Sequence, residues 1–245
     1  MNNLTFTAMV GAVAAGTLGV AASHYQSPAS ASPASPIPVV IVYRDSSLQT
    51  GQTAPSGDTF WTLAVRSDGA NMQVNSVPDA TGRIEGVKSL QLQDRYVVVD
   101  PLTTSVMTYK PYRPMVAGGQ NCSGKPAVSI LNHSVEYVQI TKPMDSSHKP
   151  RERWLATDLN CLTLREHLTI AEKDGTEVQF FREAVSIRPG EPPVEYFEIP
   201  ASYVERGPAE LDAEVQKQFP GKHVIGNPAI LDKLQHVYES DKLPK

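Results

Sequence analysis

ERWLATDLNCLTLREHLTIAEKDGTEVQFFREAVSI, residues 152–187, decides the fold. Three stretches in it, Glu152 to Thr157, Thr163 to Ala171 and Glu177 to Ile187, alternate apolar and polar side chains or are rich in β-branched residues. A period of two puts one set of side chains on a core and the other on solvent, as in a half-buried strand. Between the second and third, Lys173-Asp174-Gly175 supplies hairpin chemistry, because Asp-Gly tolerates the left-handed backbone of a tight turn. Consecutive strands joined by short turns pair antiparallel, so this segment predicts a meander.

The same cadence extends in both directions. Upstream, Val39-Val40-Ile41-Val42-Tyr43 is a compact apolar run rich in β-branched residues, suited to a buried strand. Thr59 to Arg66 alternates loosely, and Ser67-Asp68-Gly69 turns it toward Met72-Gln73-Val74. Gly86 to Val99 reads as two strands broken at Gln93-Asp94, and Asp100-Pro101-Leu102-Thr103 turns into Ser105 to Tyr109. Pro111 to Pro126 is too rich in Pro and Gly for regular structure. Ser134 to Thr141 and Val194 to Ile199 complete the predicted strands. A curved antiparallel sheet follows. Beyond Gly207-Pro208 the period changes: Leu211, Val215 and Phe219 recur at helical spacing, and after Asn227-Pro228 so do Ile230, Leu231, Leu234, Val237 and Tyr238. Two amphipathic helices need a partner surface, and the sheet is the one at hand. The fold class is α+β, mainly β.

Composition sets the compartment and excludes some partners. Residues 4–22 are apolar or small, the first Lys, Arg, Asp or Glu is Arg44, and Ala21-Ala22-Ser23 offers a small-x-small cleavage pattern. Residues 1–23 are thus expected to be an export signal, or, uncleaved, an inner-membrane anchor over residues 4–22, which would be the only membrane contact. Residues 24–38, with YQSPASASPASPIP at their heart, form a Ser/Pro/Ala-rich spacer that cannot bury enough apolar surface to order itself. Residues 39–205 make the sheet domain and 206–245 the helices. Location is therefore expected to be periplasmic or secreted. With 22 Lys and Arg against 26 Asp and Glu the chain is mildly acidic, a poor match for nucleic acid. The cationic run KPMDSSHKPRER, residues 142–153, is broken by prolines and acids and reads as a solvated hairpin loop rather than an anion site. Cys122 and Cys161 are expected to pair in an oxidising compartment, closing a loop of about 40 residues worth roughly 4 kcal/mol.

Catalytic and cofactor motifs fail on inspection. GQNCSGK, residues 119–125, has phosphate-loop spacing, but Pro126 stands where that loop needs a hydroxyl on a helix. The six histidines are scattered singly, although His133 and His167 lie on or beside predicted strands and can meet in space. The carboxylates Asp100, Glu136, Glu183 and Glu195 show no pairing interval, and no nucleophile elbow occurs. Asn132-His133-Ser134 is a glycosylation sequon only in a eukaryotic secretory route. No enzyme, metal or cofactor is expected. Trp61, Trp154, Phe180, Tyr196 and Phe197 fall in predicted strands, where they either fill the core or line a groove for an apolar ligand.

ERWLATDLNC at 152–161 followed by PPVEYFEIPASY at 192–203, with RYVVVDP at 95–101 before them, resembles exported bacterial proteins of the LolA/LolB/RseB-like superfamily. The resemblance covers roughly Tyr43 to Glu205 and implies an antiparallel half-barrel with helices covering its concave face. It further implies binding of a lipid or lipoprotein, or sensing in the envelope. The cysteine pair, the spacer and the terminal helices depart from the carrier members, and no functional residue of the family maps to a position here. Two functional readings stay open: a non-enzymatic groove for a lipid or other apolar ligand, and an envelope protein-interaction domain whose cavity is filled.

Overall fold

The computed structural model describes residues 36–110, 122–123, 128–140, 151–171, 175–223 and 228–241. The leader, nearly all of the spacer, most of the GQNCSGK stretch, residues 142–150 of the cationic run and Lys173-Asp174 lie outside them.

Strands β1 (Val39–Gln49), β2 (Ser56–Val65), β3 (Asn71–Val74), β4 (Lys88–Gln91), β5 (Tyr96–Asp100), β6 (Ser105–Tyr109), β7 (Val128–Ile130), β8 (His133–Ile140), β9 (Arg151–Ala156), β10 (Leu162–Ala171), β11 (Glu177–Pro189) and β12 (Val204–Glu205) form one sheet. Its order is β12-β6-β5-β4-β3-β2-β1-β11-β10-β9-β8-β7, antiparallel except for the short β12–β6 pairing. The chain starts in the middle of the sheet, walks outward to β6, resumes at the opposite edge with β7 and walks back until β11 pairs with β1. The sheet is curved and does not close, since β12 and β7 end it without meeting in the order.

The apolar run of β1 is buried on both sides, and each side starts a different core. Val40 stands opposite Ala64, Ala64 opposite Met72, Met72 opposite Leu90 and Leu90 opposite Val97, an apolar ladder across β1 to β5. Val39, Ile41 and Tyr43 point the other way and pack with Leu63, Leu164 and Ala184. Fully burying a side chain of this size contributes about 1.5–3 kcal/mol, so the two clusters carry most of the fold.

The segment Val194 to Ile199, expected as a strand, is instead a 3₁₀ turn over Val194–Phe197. Pro192, Pro193 and Pro200 bracket it, and prolines cannot donate to a sheet ladder. The turn buries Tyr196 and Phe197 against Met72 and Leu90, which seals the apolar ladder. Lys88 Nζ donates to the carbonyls of Tyr196 (3.0 Å) and Glu198 (2.8 Å), fixing the segment to β4. Burial lowers the pKa of that ammonium.

Helices α1 (Pro208–Gln218) and α2 (Pro228–Asp241) follow the predicted starts. Pro208 opens α1, the Glu210 carboxylate accepts from the Gly207 amide at 2.9 Å, and Leu211 and Val215 are buried. The pair reaches the sheet at its β12–β6 end: Tyr238 meets the edge of the Tyr109 ring, centroids 5.3 Å apart, and donates to Glu205 at 3.2 Å. Burial and the nearby Glu205 push the Tyr238 hydroxyl up to about 12. Gly207 allows this docking, because a Cβ there would come 3.0 Å from the Tyr238 ring. Among the described residues, no helix is long and apolar enough to cross a membrane.

Candidate functional site

Strand register decides which aromatic residues can share a site. Trp61 stands opposite Tyr43, and Asp45, two residues on, stands opposite Arg182, which stands opposite Glu166. Arg165, next to Glu166 and therefore on the other face, stands opposite Trp154. Trp61 and Trp154 thus project from opposite faces of the sheet, each touching the margin of the core around Ile41 and Leu164. Phe180 has the parity of Arg182 and shares the face of Trp61, whereas Tyr196 and Phe197 belong to the separate core over the apolar ladder. The five aromatic candidates do not converge. Trp61 is held in place by a stack on Tyr43 (4.4 Å), a hydrogen bond from its Nε1 to Asp45 (3.1 Å) and the Arg182 guanidinium over its ring (4.5 Å).

On the Trp154 face lies a cleft of about 470 Å³ lined by Val128, Ser129, Ile130, Leu131, Trp154, Arg165, Glu183 and Ala184. The β7–β8 hairpin forms one wall and the register row Arg44, Glu183, Arg165, Trp154, Tyr137 lies beneath it. Along that row Arg44 and Arg165 both pair with Glu183, the Arg165 guanidinium lies 5.7 Å from the Trp154 centroid, and Trp154 meets Tyr137 at 5.2 Å. Arg165 and, behind it, Arg44 hold the Glu183 carboxyl below the usual carboxylate range. The cleft combines an apolar wall with a polar floor.

Its rim is strained. Ile130 pairs with His133 across a two-residue turn, and both turn residues, Leu131 (φ 49°) and Asn132 (φ 67°), are left-handed. Asn tolerates that region and Leu does not, at a cost of about 1–2 kcal/mol. The Leu131 side chain nevertheless stays exposed at the mouth of the cleft, as does Val128 on β7. β7 was invisible in the sequence because three residues beside a Pro/Gly-rich stretch carry no readable period.

The cysteines tie down the same wall. Cys122 and Cys161 are bonded, with Cα atoms 5.7 Å apart, and the adjacent Ser123 donates its amide and hydroxyl to Glu136 of β8 at 2.6 and 2.8 Å. The disulfide joins the chain entering β7 to the turn between β9 and β10.

Among the described residues, His133 and His167 do not meet. His133 lies 2.9 Å from Asp158 at the start of β8, and His167 lies 2.8 Å from Glu152, whose register partner is Gln139 near the other end of β8. Glu152 also accepts from Tyr137 at 2.7 Å, and these two bonds depress its pKa. His167 stacks on Phe181 (4.8 Å), and among the described residues its buried Nε2 has no hydrogen-bond partner. Among the described residues, no group of three or more His, Cys, Asp or Glu side chains is placed to hold a metal ion.

No family model matches the sequence, and no curated protein matches it. Among solved structures, the chain is similar to an uncharacterised conserved protein from Thermus thermophilus, at 8% identity and a TM-score of 0.42, covering 69% of this chain and 90% of that one. It is also similar to a LolA superfamily protein from Nitrosomonas europaea, at 10% identity and a TM-score of 0.33, covering 66% of this chain and 90% of the other. The fold described above rests on its own strand order and register.

Proposed function

We propose that this is an exported, non-enzymatic envelope protein that binds an acyl chain or other apolar part of a lipid or lipoprotein in the cleft beside Trp154. The observation that carries the reading is Leu131: an apolar side chain kept exposed, on a left-handed backbone, at the mouth of a cleft walled by Val128, Ile130 and Trp154. Backbone strain of this kind survives where the surroundings or the function require it. The Cys122–Cys161 bond supports an oxidising compartment, periplasmic or secreted. The test is native mass spectrometry of the exported protein purified without detergent. A lipid-sized adduct lost on denaturation, and reduced in Trp154→Ala, is the expected result; uptake of neither lipid nor hydrophobic dye would sink the proposal.

A second reading, an envelope interaction domain with a filled interior, is favoured by Tyr196 and Phe197, which occupy the space over the apolar ladder. In that case a stoichiometric partner co-purifies from envelope extracts and is lost when residues 209–238 are deleted.

A further inference from the structure

The face opposite the cleft carries a row of alternating charge: Asp45, Arg182, Glu166 and Arg153 are successive register partners across β1, β11, β10 and β9. Arg182 grips Asp45 with two bonds, Nε to Oδ1 at 3.0 Å and Nη2 to Oδ2 at 2.9 Å, a fork-to-fork geometry. Glu166, with a side chain only 9% exposed, receives the Nε of Arg153 at 2.8 Å and pairs with the Nε of Arg151 on the same oxygen. Arg182 approaches its second oxygen at 3.9 Å.

Among the described residues, three arginines therefore surround two carboxylates. One buried carboxylate is satisfied by a single well-placed guanidinium, and every further cation brought out of water costs desolvation and meets like charge. Arg151 shows that cost: burial first, then the proximity of Arg153 and Arg182, lowers its pKa against the pull of Glu166. Glu136, further along the same face of β8, is occupied by Ser123 and does not balance the row. The excess positive charge persists in a chain whose formal net charge is −4. Arg153 donates its Nε to Glu166, whereas the buried Arg151 Nε beside the same oxygen makes no hydrogen bond among the described residues. The Arg151 and Arg182 side chains remain 40% and 38% exposed, so an incoming group can reach them. Trp61 under Arg182 and the exposed Phe180 border the site with aromatic surface.

We propose that Arg151, Arg153 and Arg182 form a binding site for a tetrahedral oxyanion, a phosphate group either free or in a lipid head group. The Arg151 and Arg153 guanidinium groups can meet phosphate oxygens, while Arg182, its fork held by Asp45, supplies positive charge beside them. The run read from sequence as a solvated loop thus ends in two arginines held on a strand, and Arg182 joins them from β11.

The experiment titrates the disulfide-intact exported protein with inorganic phosphate, reading the arginine Nε–H signals by NMR, and separately floats it with phosphatidylglycerol or phosphatidylcholine vesicles. Phosphate shifts of the Arg151 and Arg153 signals identify a free anion as a ligand; selective flotation with phosphatidylglycerol identifies a head group; either supports the site. Arg151→Gln is expected to weaken binding about tenfold, the worth of one charge-assisted contact. Arg188→Gln removes the same charge from an exposed position and is expected to leave binding within about twofold. Arg151→Lys keeps the charge and loses the fork, and is expected to fall between them if Arg151→Gln does not fold. Absence of both phosphate and phosphatidylglycerol binding, or equal weakening by Arg188→Gln, overturns the proposal. The site is on the face away from the Trp154 cleft, so its failure and that of the apolar-ligand reading are separate results.

Discussion

Two rows of register partners leave β1 in opposite directions, and their chemistry differs completely. Toward β5 runs Val40–Ala64–Met72–Leu90–Val97, capped by Tyr196 and Phe197; toward β9 runs Asp45–Arg182–Glu166–Arg153, with Trp61 beneath Arg182. The apolar row gains free energy from water exclusion, a term that salt and pH hardly touch near neutrality. The charged row must offset desolvation with geometry, and replacing such rows by apolar residues is often neutral or stabilising. The half that holds the charged row thus also carries the core around Ile41 and Leu164 and the strained turn at Leu131, whereas the other half is apolar along its whole row.

The sharpest way to separate the halves is to remove the disulfide. Cys122→Ser with Cys161→Ser opens a loop with a sequence separation of 39 and is expected to cost about 4 kcal/mol in urea unfolding. Native-state hydrogen exchange should then rise in β7 and β8 more than in β3 to β5. Met72→Ala, at a fully buried position of the apolar row, is expected to cost about 3 kcal/mol, equally at low and high salt. Glu166→Gln leaves its arginines without their carboxylate and is expected to cost about 2 kcal/mol, a loss that shrinks in molar salt as the arginines are screened. If the salt dependence of Glu166→Gln matched that of Met72→Ala, the contrast between the rows would collapse.

Acid should reach the strands of the charged half before those of the apolar row. Glu152 and Glu183 have folded-state pKa values below their unfolded ones, so their contribution is fully present above the ordinary carboxylate value and disappears as pH falls through the lower folded values. Exchange in β8 to β11 is therefore expected to accelerate below about pH 4.5, the unfolded glutamate range, before β3 to β5 respond. The smallest effect is a gain: Leu131→Asn relieves the left-handed strain and is expected to raise stability by roughly 0.5–1 kcal/mol while weakening uptake of an apolar ligand.

Most strands were legible because alternation survives in single sequences. Thr163 to Ala171 and Glu177 to Ile187 fall almost on β10 and β11, and Gln93-Asp94 separates β4 from β5. Less legible was anything dependent on register. Asp45 and Arg182 lie 137 positions apart, and no local pattern says that they meet. Trp61 and Trp154 look equivalent as strand aromatics, yet one parity step at Arg165/Glu166 sends them to opposite faces. Prolines flanking Val194 to Ile199 were the available signal against a strand there, outweighed by its β-branched and aromatic content. The charged row had a trace as well: Arg182-Glu183 puts charge on both parities of one strand, so neither face of β11 can be wholly apolar.

The most direct test is native mass spectrometry of the detergent-free, disulfide-intact protein beside its Trp154→Ala and Met72→Ala variants. The proposed function predicts a lipid-sized adduct on the parent and on folded Met72→Ala, sharply reduced on Trp154→Ala. An adduct that Trp154→Ala retains, or no adduct on any of the three, would contradict it.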